Sequence, residues 1–432
     1  MNTLLSRLEK QLFTRKTAGN LRILRTKTQN MVDFCSNDYL GLSQSKTLQK
    51  NTETEVSQIE NYQLGATGSR LVSGTHPYMC ALETYLADLF CGESCLLFNS
   101  GYSANSALIA TISQKNDILI CDDLAHASLR EGTKLSFAKN YYFKHNDLAD
   151  LARKLAFSEK KSATENQIGE KFVIIESVYS MDGDFGDILG ISAVCKQFGA
   201  HLIVDEAHST GIFGENGNGL FCEKFPEITT PNPSLRRRGA KFPYFEGGAR
   251  GGLENIISEN DVFARIYTFG KAIGTHGACI VGSKILTDYL VNFARGFIYT
   301  TAPTLHSLAT VKCAFEMIKN NPNLQQKLFE NIDFFRENFR NIFNQNKTDF
   351  PENIILKESF TPIQILQIGG NECTKALAAF LQKENFDVRP ILAPTVKEGE
   401  EILRICLHTF NTKEEILGLI NGIKAFFNNG IA

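Results

Sequence analysis

The sequence predicts an α/β protein built on a parallel sheet with helices on both faces, followed by a smaller α/β domain. Three observations carry that reading. Short, continuous apolar runs alternate with helical patterns through the middle of the chain. Strands buried on both faces read as such runs, and the helices between them are crossovers. The pattern changes after about Pro303 to a long helical stretch and then shorter strand-like runs. Finally, 432 residues with 43% hydrophobic and 21% charged residues suffice for two packed domains and exclude a wholly disordered chain.

The elements follow in order. Leu4, Leu5, Leu8 and Leu12 repeat at helical spacing, which predicts an amphipathic helix packed on its own protein. The same stretch lacks the apolar core of a signal peptide, and Glu9 argues against a transit helix. CLLF (95–98) leads to a helical pattern from Ala104, and DILICD (117–122) to one from Ala127. FVIIES (172–177) leads to LGISAVCKQFG (189–199), and HLIVDE (201–206) follows directly. The helical pattern after Pro303 runs to about Asn346, followed by IQILQI (363–368), ILRICL (402–407) and a closing helix from Lys413. One stretch, 229–253, is rich in Pro, Gly and Arg without periodicity and reads as an inserted surface loop. The expected organisation is an N-terminal helix and arm over 1–45, a large domain over 46–302, and a small domain over 303–432.

Charge and cysteine content narrow the function. Lys plus Arg is 45 against 47 Asp plus Glu, a net charge of −2 that leaves no footprint for nucleic acid or an anionic membrane. No apolar run approaches the ~20 residues of a membrane-spanning helix. The eleven cysteines include no CxxC, and several sit inside apolar runs (Cys121, Cys279, Cys406). They read as small buried hydrophobes in a reducing, cytoplasmic setting, with no structural zinc.

In parallel sheets ligands bind outside the carboxyl ends of the strands, so the polar residues there are the candidates. Asp205-Glu206-Ala207-His208 ends one strand. As a helicase motif it would need an upstream GxxxxGK[ST] loop, and none exists. The other reading is a site for pyridoxal phosphate (PLP). A carboxylate keeps the pyridine nitrogen protonated, and a lysine forms the Schiff base. Lys271 lies in TFGKAIG, among small residues that leave room for a ligand. Asn99-Ser100-Gly101-Tyr102 follows CLLF and opens a helix whose backbone N–H groups can hold a phosphate. His126 can lie flat on the ring. Alone, each is a surface lysine, a structural histidine or a turn. Four in order, each just past a strand of one sheet, make a site.

The sequence resembles the α-oxoamine synthases, a PLP-dependent group of fold type I, over nearly its whole length. The matching stretches are SNDYLGL (36–42), GATGSRLVSGTHPYMCALE (65–83), FNSGYSAN (98–105), DDLAHASLREG (122–132), ESVYSMDGD (176–184), VDEAHSTGIFGENGNG (204–219), TFGKAIGTHGA (268–278), FIYTTA (297–302) and RPILAPTV (389–396). The resemblance implies a mostly parallel seven-stranded sheet in the large domain. It also implies Lys271 as Schiff-base lysine and base, Asp205 on the pyridine nitrogen, His208 on the ring hydroxyl, His126 stacked, and Ser180 supporting the ring. Ser100, Gly101, Tyr102 and Thr268 would surround the phosphate. Thr300 and Thr301 would reach the cofactor of a neighbouring subunit, which implies a homodimer with composite sites. Asn37 and Arg404, with Arg22 by a weaker match, would hold the amino-acid carboxylate.

The family's chemistry is decarboxylative condensation of an amino acid with an acyl thioester, carried by CoA or an acyl carrier protein. GATGSRLVSGTHP (65–77) is most similar to the branch that joins L-alanine to a pimeloyl thioester for biotin synthesis. The alternatives are 2-amino-3-ketobutyrate CoA ligase, 5-aminolevulinate synthase and serine palmitoyltransferase. A binding-only relative would be expected to lose the lysine, and Lys271 is present. The interval from Asp205 to Lys271, 66 residues, exceeds the family's usual one, and the excess falls in 229–253. A long loop costs little closure entropy. The fold is therefore expected to survive it, with Arg236, Arg237 and Arg238 as an exposed excursion or a dock for an acidic carrier protein.

Overall fold

The computed structural model describes residues 3–24, 26, 31–164, 169–222, 261–345, 351 and 354–428. The insertion expected at 229–253 lies outside the described residues. The chain divides into two units: Met1–Asn37 with Met181–Asp184 and Lys327–Ala432, and Asp38–Ser180 with Phe185–Gln326.

The chain opens in the first unit with α1 (Thr3–Thr17) and β1 (Val32–Asp33). The apolar stripe of α1 is not packed as expected: none of its residues is buried, and Leu4, Leu5, Leu8 and Leu12 are exposed. Their spacing makes an amphipathic helix, but no neighbouring element among the described residues covers the apolar side.

The second unit holds the large sheet. Its strands are β2 (Ser94–Phe98), β3 (Ile118–Asp122), β4 (Lys139–Phe143), β5 (Lys171–Glu176), β6 (His201–Asp205), β7 (Ala264–Thr268) and β8 (Ala278–Gly282). The order is β2-β8-β7-β6-β5-β3-β4, parallel apart from β8, which runs antiparallel to both neighbours. This is the mostly parallel seven-stranded sheet that the resemblance implies. The central runs Phe172–Ile175 and Leu202–Val204 are buried throughout, as helices on both faces require. The edge strand β4 exposes Lys139 and Asn140, charged and polar residues that discourage pairing with another chain.

The helices of this unit are α2 (Lys46–Ser57), α3 (Pro77–Leu89), α4 (Gly101–Ile112), α5 (Ala127–Leu135), α6 (Leu148–Thr164), α7 (Ile188–Phe198), α8 (Gly219–Cys222), α9 (Lys284–Phe293), α10 (Arg295–Ile298) and α11 (Leu305–Asn320). Pro77 sits at the first turn of α3, where its missing N–H costs nothing. Helix α7 stops at Gly199 in the left-handed conformation, φ 58°. Leu108, Ile109 and Leu129 from α4 and α5 pack with Leu119, Ile174 and Ile203 of the sheet in one apolar cluster. Truncating one such fully buried leucine to alanine costs about 2–5 kcal/mol. Helix α11 packs against α2 and α3, which keeps 305–320 with this unit. The single helical pattern expected from Pro303 to Asn346 is two helices, broken at Asn321-Pro322, because proline supplies no N–H and clashes with the preceding turn.

The first unit resumes with α12 (Asn323–Gln345), which starts at the end of the second, and then β9 (Ile355–Leu356), β10 (Ile363–Gln367), α13 (Asn371–Lys383), β11 (Phe386–Asp387), β12 (Arg389–Ile391), β13 (Ile402–Cys406) and α14 (Lys413–Asn428). Strands β12-β13-β10-β9 form an antiparallel sheet, and β1 pairs with β11 in parallel. Among the described residues no helix is long and apolar enough to cross a membrane.

Candidate active site

The register of the large sheet sets polar side chains side by side at its carboxyl edge. Asp122 ends β3, Glu176 ends β5, Asp205 ends β6 and Thr268 ends β7, and Glu176 lies directly opposite Asp205. All four are buried. Three carboxyl groups this close must be neutralised or held by donors. Asp122 takes the Nδ1 of His145 at 3.1 Å. Asp205 accepts the Ala207 N–H on Oδ1 at 2.9 Å and the Asn105 amide on Oδ2 at 2.7 Å. Glu176 accepts the backbone N–H of His126 at 2.6 Å. Burial, with Asp205 beside it, pushes the Glu176 carboxyl well above the ordinary glutamate range.

Lys271 acts electrostatically on both Glu176 and His126, as Asp205 does, so these four groups share one site. The lysine lies in the turn between β7 and β8. Its carbonyl accepts the Gly274 N–H at 2.8 Å, and buried Ala272 and Ile273 anchor the turn. His126 caps α5, and its Nδ1 meets the Ser128 hydroxyl at 2.8 Å and accepts the Ser128 N–H at 3.2 Å. Burial lowers the affinity of its imidazole for a proton; the Asp205 charge opposes this and Lys271 reinforces it. His208, buried just past β6, has Nδ1 2.9 Å from the Tyr39 phenol. Ser180 lies half-buried beyond β5.

The turn from β2 into α4 is a cradle for an anion. Ser100 caps the helix, its Oγ taking the Ser103 N–H at 3.2 Å. The first N–H groups of a helix have no intrahelical acceptor and point outward, so those of Gly101 and Tyr102 are positioned to hold one. A Cβ at Gly101 would lie 2.4 Å from Cγ2 of Thr268, so only glycine lets the strand end and the helix approach this closely. The Tyr102 side chain is half-exposed. Asn99 Nδ2 donates to Thr300 Oγ1 at 3.0 Å and to the Thr301 carbonyl at 2.7 Å, which brings both threonines to this turn.

Arg22, Asn37 and Arg404 belong to the first unit. Arg404 Nη2 donates to Asn37 Oδ1 at 3.0 Å, so the structure joins these two expected residues. Arg22 is exposed, with Nη2 3.5 Å from Thr395 Oγ1.

Sequence reading missed Asn105, Ser128, Tyr39 and Glu176. The available signals were faint: an amide inside the apolar pattern of α4, and an acidic residue ending the FVIIE run.

These residues fit PLP. A buried carboxylate with two N–H donors suits a protonated ring nitrogen, the lysine a carbonyl, and the glycine-lined helix start a phosphate. The comparisons agree. The family model for aminotransferase class I and II matches residues 29–420. An 8-amino-7-oxononanoate synthase of Emericella nidulans is 33% identical over 93% of this chain and 90% of its own length. One from Buchnera aphidicola is 32% identical over 95% and 92%. In fold, a Sphingomonas wittichii serine palmitoyltransferase superposes with a TM-score of 0.74 at 22% identity, covering 100% of this chain and 98% of that one. A Francisella tularensis 8-amino-7-oxononanoate synthase superposes with a TM-score of 0.69 at 24% identity, covering 94% and 100%. The chain belongs to the class I and II aminotransferase family, within which it is a PLP-dependent acyltransferase of the α-oxoamine synthase group.

Proposed function

We propose that this enzyme condenses L-alanine with a pimeloyl thioester, releasing CO₂ and the free thiol and giving 8-amino-7-oxononanoate for biotin synthesis. The observation that carries the choice of branch is the 33% identity to a synthase of that name over nearly the full length of both chains.

Bound PLP supplies an electron sink for the pair of electrons released at the alanine Cα. The chain's residues do the rest. Lys271 Nζ is the Schiff-base donor and the base that takes the α-proton, and it returns a proton once CO₂ has left. The Asp205 carboxylate, fixed by Asn105 and Ala207, keeps a positive charge on the ring nitrogen. His208, backed by Tyr39, would hydrogen-bond the ring hydroxyl, with Ser180 supporting it and His126 against the ring. Ser100, Gly101, Tyr102 and Thr268 hold the phosphate. Asn37 and Arg404 take a substrate carboxylate, with Arg22 as a second cation.

The working form is a homodimer in which Thr300 and Thr301 reach the other subunit's phosphate. In support, Thr301 bridges to Ser69, and the two joined segments expose Val72 (85%) and Tyr299 (77%), apolar surface that a second subunit would cover. We place the enzyme in the cytoplasm, with CoA or a carrier protein bearing the acyl group.

Purified enzyme given alanine and pimeloyl-CoA should release 8-amino-7-oxononanoate and CO₂ in equal amounts. Absence of product with both the CoA and the carrier-protein thioester would overturn the assignment.

A further inference from the structure

Asn105 sits in the middle of α4 and is 2% exposed. Its amide nitrogen donates twice, to Asp205 Oδ2 at 2.7 Å and to Ser128 Oγ at 2.9 Å. The carboxylate only accepts, so the nitrogen must face it, and Oδ1 is left buried without a hydrogen-bond partner among the described residues. With its lone pair engaged by Asn105, the Ser128 hydroxyl is free to donate its proton to His126 Nδ1, 2.8 Å away. The Ser128 backbone N–H reaches the same nitrogen at 3.2 Å. Nδ1 therefore accepts two hydrogen bonds and has no room for a proton of its own, which places the ring proton on Nε2.

We propose that Asn105 is a positioning residue that orders Asp205, Ser128 and His126 as one directional hydrogen-bonded chain. It fixes the carboxylate that faces the ring nitrogen and, through Ser128, holds the stacked imidazole in the neutral Nε2–H tautomer. The chain explains why a buried amide tolerates an unsatisfied oxygen: turning it round would set oxygen against carboxylate. The inference rests on the assignment of Asp205 and His126 to the cofactor, and it does not depend on which amino acid or thioester is used.

The test uses the full-length holoenzyme with ¹⁵N-labelled histidine and the pH titration of the visible cofactor band. In the wild type His126 should show the Nε2–H form alone at about pH 8. Asn105→Ala should mix the two tautomers, shift the midpoint of the band and lower kcat by about 10-fold or more with KM nearly unchanged. Ser128→Ala keeps the bond to Asp205, so it should disturb the His126 signal and leave the band midpoint in place. If Asn105→Ala misfolds, the Ser128→Ala result decides. An unchanged His126 tautomer in Ser128→Ala, or an Asn105→Ala enzyme that is only less stable, overturns the proposal. A wild-type enzyme that makes no product from alanine but passes these tests would overturn the substrate assignment and leave the positioning role standing.

Discussion

The phenol of Tyr39 and Nδ1 of His208 lie 2.9 Å apart, both side chains buried, although 169 residues separate them in sequence. Tyr39 precedes a left-handed turn at Gly41, φ 68°, that leads the chain onto the sheet unit. The bond holds the His208 ring in one orientation. Tyr39→Phe should keep the fold, cost about 1 kcal/mol in denaturant unfolding, and weaken PLP binding several-fold in an equilibrium titration. Unaltered PLP affinity would mean that His208 needs no support from the phenol.

Close approach at Gly101 makes a second expectation. Gly101→Ala sets a methyl group 2.4 Å from Thr268 Cγ2, so either the strand end or the start of α4 must move. The variant should bind PLP at least ~10-fold more weakly. Thr268→Ser removes that methyl group while keeping the hydroxyl that donates to the Ala207 carbonyl at 3.3 Å. The double variant Gly101→Ala/Thr268→Ser should therefore recover most of the loss, as measured by the same titration. No recovery would place the strain elsewhere.

Glu176 predicts a signature in stability against pH. Its carboxyl binds a proton more tightly in the folded protein than in the unfolded chain, owing first to burial and then to Asp205. Its contribution is thus complete below the ordinary glutamate value of about 4.3 and is lost as pH rises through the raised one. Glu176→Gln stays neutral and keeps an acceptor for the His126 N–H. Its melting temperature should match the wild type below about pH 4 and exceed it increasingly as pH rises above that. Parallel curves would show that Glu176 ionises without penalty.

Lys271→Ala should fold, with a far-ultraviolet spectrum like the wild type, and lose both the visible cofactor band and turnover, because the chain places no second amine in the β7–β8 turn. Substantial turnover by this variant would dismiss Lys271 as the base.

The parts legible in the sequence are those whose physics is local. Leu202–Val204 and Phe172–Ile175 read as strands because both faces are buried, and the polar residues after them mark the carboxyl edge. From that edge Asp205, His126 and Lys271 are read as site candidates. Strand β4 offers no such signal, because an edge strand with exposed Lys139 and Asn140 carries no apolar run. The reversed direction of β8 follows from its pairing with β7 and β2 and has no mark in ACIVG itself. Asn105 looked like one polar residue in an alanine-rich helix; its partner Asp205 is 100 residues away, and only the packing of α4 on the sheet joins them. The exposed stripe of α1 shows the converse, since amphipathic spacing specifies a helix and not what covers it.

The most direct test crosses alanine, glycine and serine against pimeloyl, acetyl, succinyl and palmitoyl thioesters and measures kcat/KM for each product. The account predicts that alanine with the pimeloyl thioester exceeds every other pair by at least about 10-fold, roughly 1.4 kcal/mol of transition-state preference. A higher value for glycine with acetyl or succinyl thioester, or for serine with palmitoyl thioester, would contradict it.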